Sequence, residues 1–247
     1  MVPGTFFVDF QIRPVNISLT MGRPLRIIPG GYAYHVFNRA NAHVQIFAND
    51  DEYLTFENIL FHACQEFEMR LCTYCIMPNH WHLVLWPKKD NELSKFVGWL
   101  TLTHAQRWHA NHKTTGSGHL YQGRFKSIPV QEDSHFLTLC RYVERNALSA
   151  GLVEKAQDWR WSAMWHRQNK GSGNKIFLVQ WPVEMPQNWQ TLVNQRLNEK
   201  EADDLKKCIE RNRPFGEIEW MLKTASSLGL DSALKNRGRP HNPEKGS

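Results

Sequence analysis

The chain has 247 residues, 41% of them apolar and 22% charged, which is enough to pack one large or two small domains and excludes a disordered chain. It has no apolar run of the length that spans a bilayer and no basic segment leading into an apolar one, so the sequence predicts neither a membrane anchor nor a secretion signal. Thirty Lys and Arg against 24 Asp and Glu give a net charge of +6 and a pI near 9.1, a balance that favours a polyanionic partner.

In chain order, residues 1–20 read as an extension of uncertain order, and Met21-Gly22-Arg23-Pro24 as the start of the domain proper. A strand is predicted from Tyr32 to Asn38, then a helix from Asp50 to Phe67, capped by Asn49 or Asp50. Two strands, Met69 to Ile76 and His80 to Trp86, flank a turn at Met77-Pro78-Asn79. A helix follows from Glu92 to His112, with Phe96, Trp99, Leu100 and Leu102 as its apolar side. Gly116-Ser117-Gly118 is a loop, and a strand runs from Tyr121 to Val130. This order predicts an α+β chain with a ferredoxin-like βαββαβ core, an antiparallel sheet and helices on one face.

A further helix begins at Asp133 or Ser134, where Phe136, Leu139, Cys140 and Val143 form one apolar stripe. Lys170-Gly171-Ser172-Gly173-Asn174 is a loop. Polar helix is predicted from Trp189 to Arg213, and a last short helical stretch that includes Phe215 to Leu230. The division is thus 21–166 as the main domain, 167–188 as linker and 189–247 as a mostly helical C-terminal region with a basic tail. In that tail, Arg237-Gly238-Arg239-Pro240 resembles the core of a minor-groove AT-hook. The five dispersed cysteines suit reduced thiols in a cytoplasmic protein. Cys72 and Cys75 are expected on opposite faces of one strand, as small core residues, with no second pair to complete a zinc site.

Chemistry concentrates in two places. On a strand, His80 and His82 point to the same face, about 7 Å apart at the backbone by the strand rise. Two neutral imidazoles so placed can share a divalent ion. On the later helix, Tyr142 and Asn146 are four apart and share a face other than the apolar stripe. A phenol and a carboxamide oxygen then project together. The ten tryptophans among Lys and Arg add flat surfaces on which unstacked bases can lie.

The segments Met77-Pro78-Asn79-His80-Trp81-His82 and Tyr142-Val143-Glu144-Arg145-Asn146-Ala147-Leu148-Ser149-Ala150-Gly151-Leu152-Val153 resemble the signature of the REP-associated tyrosine transposases. These are HUH-type single-strand tyrosine transposases. The family pattern is Met-Pro-Asn-His-hydrophobic-His on a strand, then Tyr-x-x-x-Asn-Pro-x-x-x-Gly-Leu-Val on a helix. Arg23-Pro24-Leu25-Arg26-Ile27, Tyr34-His35-Val36, His119-Leu120-Tyr121-Gln122-Gly123-Arg124-Phe125-Lys126 and Trp161-Ser162-Ala163 extend the resemblance. It runs from about Met21 to about Trp165 and returns at the C-terminus. Ala147 stands where the family usually has Pro, which lets the helix run on.

The resemblance implies nicking and rejoining of single-stranded DNA beside a palindromic REP-type hairpin. Tyr142 would be the nucleophile, forming a 5′-phosphotyrosine link without ATP. His80, His82 and Asn146 would hold one Mg²⁺ or Mn²⁺. Arg23, Arg26, Arg124, Lys126, Arg141, Arg145, Arg237 and Arg239 are candidate DNA contacts. A bacterial cytoplasmic, nucleoid-associated location follows from it, with no membrane partner, and a homodimer is left open. The alternative is a hairpin-binding regulator or repeat-maintenance protein that transposes little. A His-x-His metallohydrolase would want an Asp-His soon after the pair, and Leu83 to Trp86 supply none. A replication or conjugation nickase would usually add a helicase region.

Overall fold

The computed structural model describes residues 28–169 and 178–235. The first strand is β1 (Ala33–Arg39), followed by helix α1 (Asp50–Glu66), strands β2 (Arg70–Met77) and β3 (His80–Trp86), helix α2 (Glu92–His112) and strand β4 (Lys126–Val130). The sheet is antiparallel in the order β2-β3-β1-β4. This is the ferredoxin-like arrangement of a βαββαβ chain, and it places β3 and β1 side by side at the centre.

Local chemistry explains the boundaries. Asn49 accepts the Glu52 backbone N–H at 3.1 Å, and the Glu52 carboxylate returns to the Ala48 N–H. Asp50, Asp51 and Glu52 put negative charge on the positive end of α1. On α2 the buried positions are Leu93, Phe96, Val97, Leu100 and His104, the spacing of a helix that buries one stripe. Leu102 lies off that stripe and is 60% exposed, contrary to the expectation that it packs. The last strand of the sheet starts at Lys126 rather than Tyr121. Gly123 adopts φ +121°, a conformation a strand does not use, and Tyr121 makes only an isolated bridge to Ala40.

Alternation along the strands divides the core in two. Tyr34, Val36, Trp81, Leu83 and Leu85 face α1 and α2. Ala33, Met77, Val84, Ile128 and Val130 face the other way. That second face is covered by α3 (Ser134–Glu144) and the short α4 (Asn146–Ser149), through Phe136, Leu139, Cys140, Val143 and Ala147, all fully buried. The sheet therefore carries helices on both faces, not one. The helix from Ser134 also does not run on unbroken: Arg145 separates α3 from α4, although the Ser149 N–H still reaches the Arg145 carbonyl at 2.8 Å.

Cys72 and Cys75 depart from the expected alternation. A register shift between Leu71 and Thr73 turns the strand, so both sulfurs join the core facing α3. All five cysteines are free and buried. Burial pushes the Cys72 and Cys75 thiols up to about 12, so both are inert core residues.

Beyond α4 come α5 (Ala163–Gln168), α6 (Trp189–Asn194), α7 (Glu199–Arg211), α8 (Ile218–Ser227) and α9 (Asp231–Leu234). The polar helix predicted from Trp189 to Arg213 is broken in two. Gln195 is extended, and Asn198 with Glu201 forms a capping box that starts α7 afresh. The C-terminal helices pack onto α3. Glu144, fully buried, accepts from Thr73 Oγ1 at 2.6 Å and Trp189 Nε1 at 2.8 Å, and is ion-paired with Arg167. Trp181 Nε1 donates to the Cys72 carbonyl at 2.8 Å. The Gly-Ser loop at 170–174, residues 1–20, and Arg23, Arg26, Arg237 and Arg239 lie outside the described residues. Among the described residues no helix is long and apolar enough to cross a membrane.

A buried chain of hydrogen bonds gives one prediction for stability. Trp81 Nε1 donates to Tyr121 Oη at 3.1 Å, leaving that hydroxyl to donate to His104 Nδ1 at 2.7 Å. Burial lowers the His104 pKa from 6.5 to about 3. The unfolded chain therefore takes up the proton first as pH falls. This contribution is complete above pH 6.5 and is lost between 6.5 and 3, at up to about 1.4 kcal/mol per pH unit. Urea unfolding across that range should show a shallower acid limb in His104→Gln, which keeps an acceptor but takes up no proton there. Equal slopes in both proteins would refute the assignment.

Candidate active site

The site lies on the sheet face that meets α3. His80 and His82 project from β3 on that face, with their ring centroids 5.0 Å apart and nearly perpendicular. Tyr142, on the last turns of α3, meets His82 edge to face at 5.7 Å. His80 Nδ1 lies 2.6 Å from Asn79 Oδ1, and His82 Nδ1 lies 2.9 Å from His35 Nε2 on the neighbouring strand β1. Among the described residues, neither His80 Nε2 nor His82 Nε2 makes a hydrogen bond.

Burial sets the protonation of these groups. It lowers the His80 pKa to about 4, helped by the charge of Arg39. His82 is pushed well below its ordinary value by burial, then by His80, His35 and Arg39. His35, fully buried, falls to about 3 from burial alone. All three rings are thus neutral near pH 7, the state in which an imidazole can ligate a metal. Burial raises the Tyr142 phenol, and Arg39 pulls it back down. Tyr142 therefore remains protonated in the protein as it stands.

Asn146, one turn beyond Tyr142, donates its amide nitrogen back to the Tyr142 carbonyl at 2.9 Å and the Val143 carbonyl at 3.3 Å. Its orientation is fixed, and its side-chain oxygen is left as an acceptor. Among the described residues no three His, Cys, Asp or Glu side chains are grouped as a metal site. A metal held here would need the carboxamide of Asn146 as its third protein ligand. The donor set fits such an ion, since each histidine has Nδ1 engaged and Nε2 free, the usual state of a ligating ring with a supporting partner.

The predicted DNA contacts divide. Arg124 is exposed on the loop that Asn38 Nδ2 ties down through the Gly123 carbonyl at 3.3 Å. Lys126 Nζ lies 5.5 Å over the Phe37 ring, which is itself stacked 5.6 Å from His82. Lys126 is thus next to the site. Arg141 and Arg145 have internal tasks instead. Arg141 Nε donates to the Leu192 carbonyl at 3.2 Å, and Arg145 Nη1 to the Val193 and Asn194 carbonyls at 3.1 and 2.6 Å. They cap the C-terminal end of α6, so each spends part of its hydrogen-bonding capacity inside the fold.

Three further residues share the site without standing in either motif. His35 and Phe37 alternate on β1 and so share the face of the site, and Arg39 ends β1 in register with His80. Arg39 is exposed and has no acidic partner among the described residues. Their own strand pattern shows that they share a face. Only the β3-β1 pairing shows that this face is the one carrying His80 and His82.

An antiparallel ferredoxin-like sheet with a His-x-His strand facing a tyrosine helix defines the class of site. Residues 30–146 match the model of the family described as Transposase IS200 like. The chain is also similar to a curated protein of Haemophilus influenzae named as a putative REP-associated tyrosine transposase, at 22% identity over 116 residues. That alignment takes in 44% of this chain and 65% of the relative, so the chain spans just under two thirds of that protein's length. Among solved structures it is similar to a REP-associated tyrosine transposase bound to a REP hairpin, at 16% identity and a TM-score of 0.48, covering 72% of this chain and 99% of that one. It is also similar to a putative transposase from Deinococcus radiodurans, at 19% identity and a TM-score of 0.36, covering 51% and 96%. The resemblance to the REP-associated tyrosine transposases, first drawn from the motifs, is thus found again by direct comparison.

Proposed function

We propose that this protein is a metal-dependent single-stranded DNA transposase that nicks and rejoins DNA beside REP-type hairpins. The observation that carries the proposal is the Tyr142 ring packed 5.7 Å from His82, with His80 alongside. The IS200-like family match over residues 30–146 supports it, as does the name of the Haemophilus influenzae relative.

His80, His82 and Asn146 would hold one Mg²⁺ or Mn²⁺. Bound there, the ion would neutralise charge on the scissile phosphate. The work of the chain's own residues is distinct. Arg39, exposed beside both histidines, attracts the phosphate into the site. Arg124 and Lys126 extend that positive surface along one edge, and Phe37 offers a ring face beside it. Tyr142 Oη attacks phosphorus, the bond to the 3′ oxygen breaks with its electron pair on that oxygen, which takes up the proton the phenol loses and leaves as a 3′ hydroxyl, and the 5′ phosphate stays on the tyrosine. A phosphodiester is exchanged for a phosphodiester, so the link can be reversed by a second 3′ hydroxyl. Arg39 favours the ionised phenol, the form that attacks.

A strand substrate suits this geometry. Duplex DNA would have to unpair, at a cost of a few kcal/mol, before its backbone could bend to reach Tyr142. A hairpin with a single-stranded flank should be cut in the presence of Mn²⁺, while the same sequence fully paired is left intact. Equal cutting at matched salt would overturn the single-strand reading. Hairpin binding without cutting under any divalent metal would favour the regulator instead.

A further inference from the structure

We propose that His35 is a positioning residue: its Nε2 accepts the Nδ1–H of His82, fixing the tautomer and ring plane that turn His82 Nε2 toward the space beside Tyr142. The inference rests on the proposed function only in taking that space as a metal site.

A neutral imidazole carries one N–H, and the 2.9 Å contact between His35 Nε2 and His82 Nδ1 accommodates one hydrogen. If His82 donates it, His82 Nε2 keeps a lone pair and can ligate. If His35 donates it, His82 Nε2 carries the hydrogen and cannot. His35 Nδ1 is buried and unpartnered; it carries the N–H when His82 donates, a cost that arrangement must offset. One feature favours donation by His82. His80 shows the same pattern, with Nδ1 against Asn79 Oδ1 at 2.6 Å, so both rings of the pair present Nε2.

The ring plane is held as well as the hydrogen. His35 and His82 are nearly parallel, 9° apart with centroids at 5.1 Å. Phe37 stacks on both, at 5.2 Å from His35 and 5.6 Å from His82. Tyr142 closes the edge at 6.0 Å from His35. A fully buried polar ring in an apolar strand position has no packing advantage over Phe or Leu. Its one polar contact is the reason for a histidine here.

The test uses the full chain and three forms: wild type, His35→Phe and His35→Gln. Phe fills the volume without an acceptor, and the Gln side-chain oxygen approximates Nε2. Long-range ¹H–¹⁵N spectra of the metal-free protein report the His82 tautomer directly. The expected result is a proton on Nδ1 in wild type and in His35→Gln, and on Nε2 in His35→Phe. Mn²⁺ titration followed by electron paramagnetic resonance should show a 10- to 100-fold weaker site in His35→Phe, in line with the loss of an outer partner of a ligating histidine, roughly that range, and recovery in His35→Gln. A wild-type His82 with its proton on Nε2 would overturn the proposal, as would Mn²⁺ affinity in His35→Phe within twofold of wild type. If wild type binds no Mn²⁺ yet shows the Nδ1 tautomer, the metal site fails while the His35 contact stands. Should His35→Phe fail to fold, the His35→Gln and wild-type spectra still decide between the two tautomers.

Discussion

Tyr142→Phe should leave a folded protein that no longer forms a covalent link to DNA. The change removes one oxygen from a half-buried ring and keeps the edge contact with His82. Its hydroxyl makes no hydrogen bond among the described residues, so stability should change by less than about 1 kcal/mol. Wild type incubated with a labelled single-stranded hairpin and Mn²⁺ should give an adduct that survives denaturant, and the variant none. An adduct of equal yield in Tyr142→Phe would show that another residue attacks the phosphorus.

His80→Ala should lower cleavage by roughly two to three orders of magnitude, the scale expected when a group that stabilises developing charge is lost. Hairpin binding should fall much less, since affinity for nucleic acid comes mainly from Lys and Arg at phosphates. His80 is a useful choice because it is only part-buried, whereas His82 is 4% exposed and integral to the packing. Parallel measurement of cleavage rate and hairpin affinity separates the two effects. Equal loss in both would mean that His80 serves binding or folding instead of chemistry.

Much of this arrangement is legible in the sequence, for reasons that are local. The order of strands and helices follows from periodicity and caps, and the pair His80 and His82 from strict alternation on a strand bounded by a tight turn. Tyr142 and Asn146 follow from helical spacing. What is not legible depends on pairing between distant segments. His35 matters only because β1 lies against β3, and Arg39 only because it is in register with His80. Arg141 and Arg145 look like free cations on a helix, and nothing local shows that the α6 carbonyls await them. The shared face of Cys72 and Cys75 depends on a single register shift, which a two-residue period does not anticipate.

Glu144 sits two residues beyond Tyr142 and is gripped from three directions, by Thr73 on β2, Arg167 on α5 and Trp189 on α6. Arg141 and Arg145 on either side hold the C-terminal end of α6. The tyrosine thus stands on a wall fastened at front and back. In the proposed reaction, a strand captured by Tyr142 would be moored at a fixed point. The travelling would fall to the nucleic acid, whose other end must be brought to the mooring for the strands to be rejoined. Which ends become joined would then be decided by how the hairpin folds and where it docks.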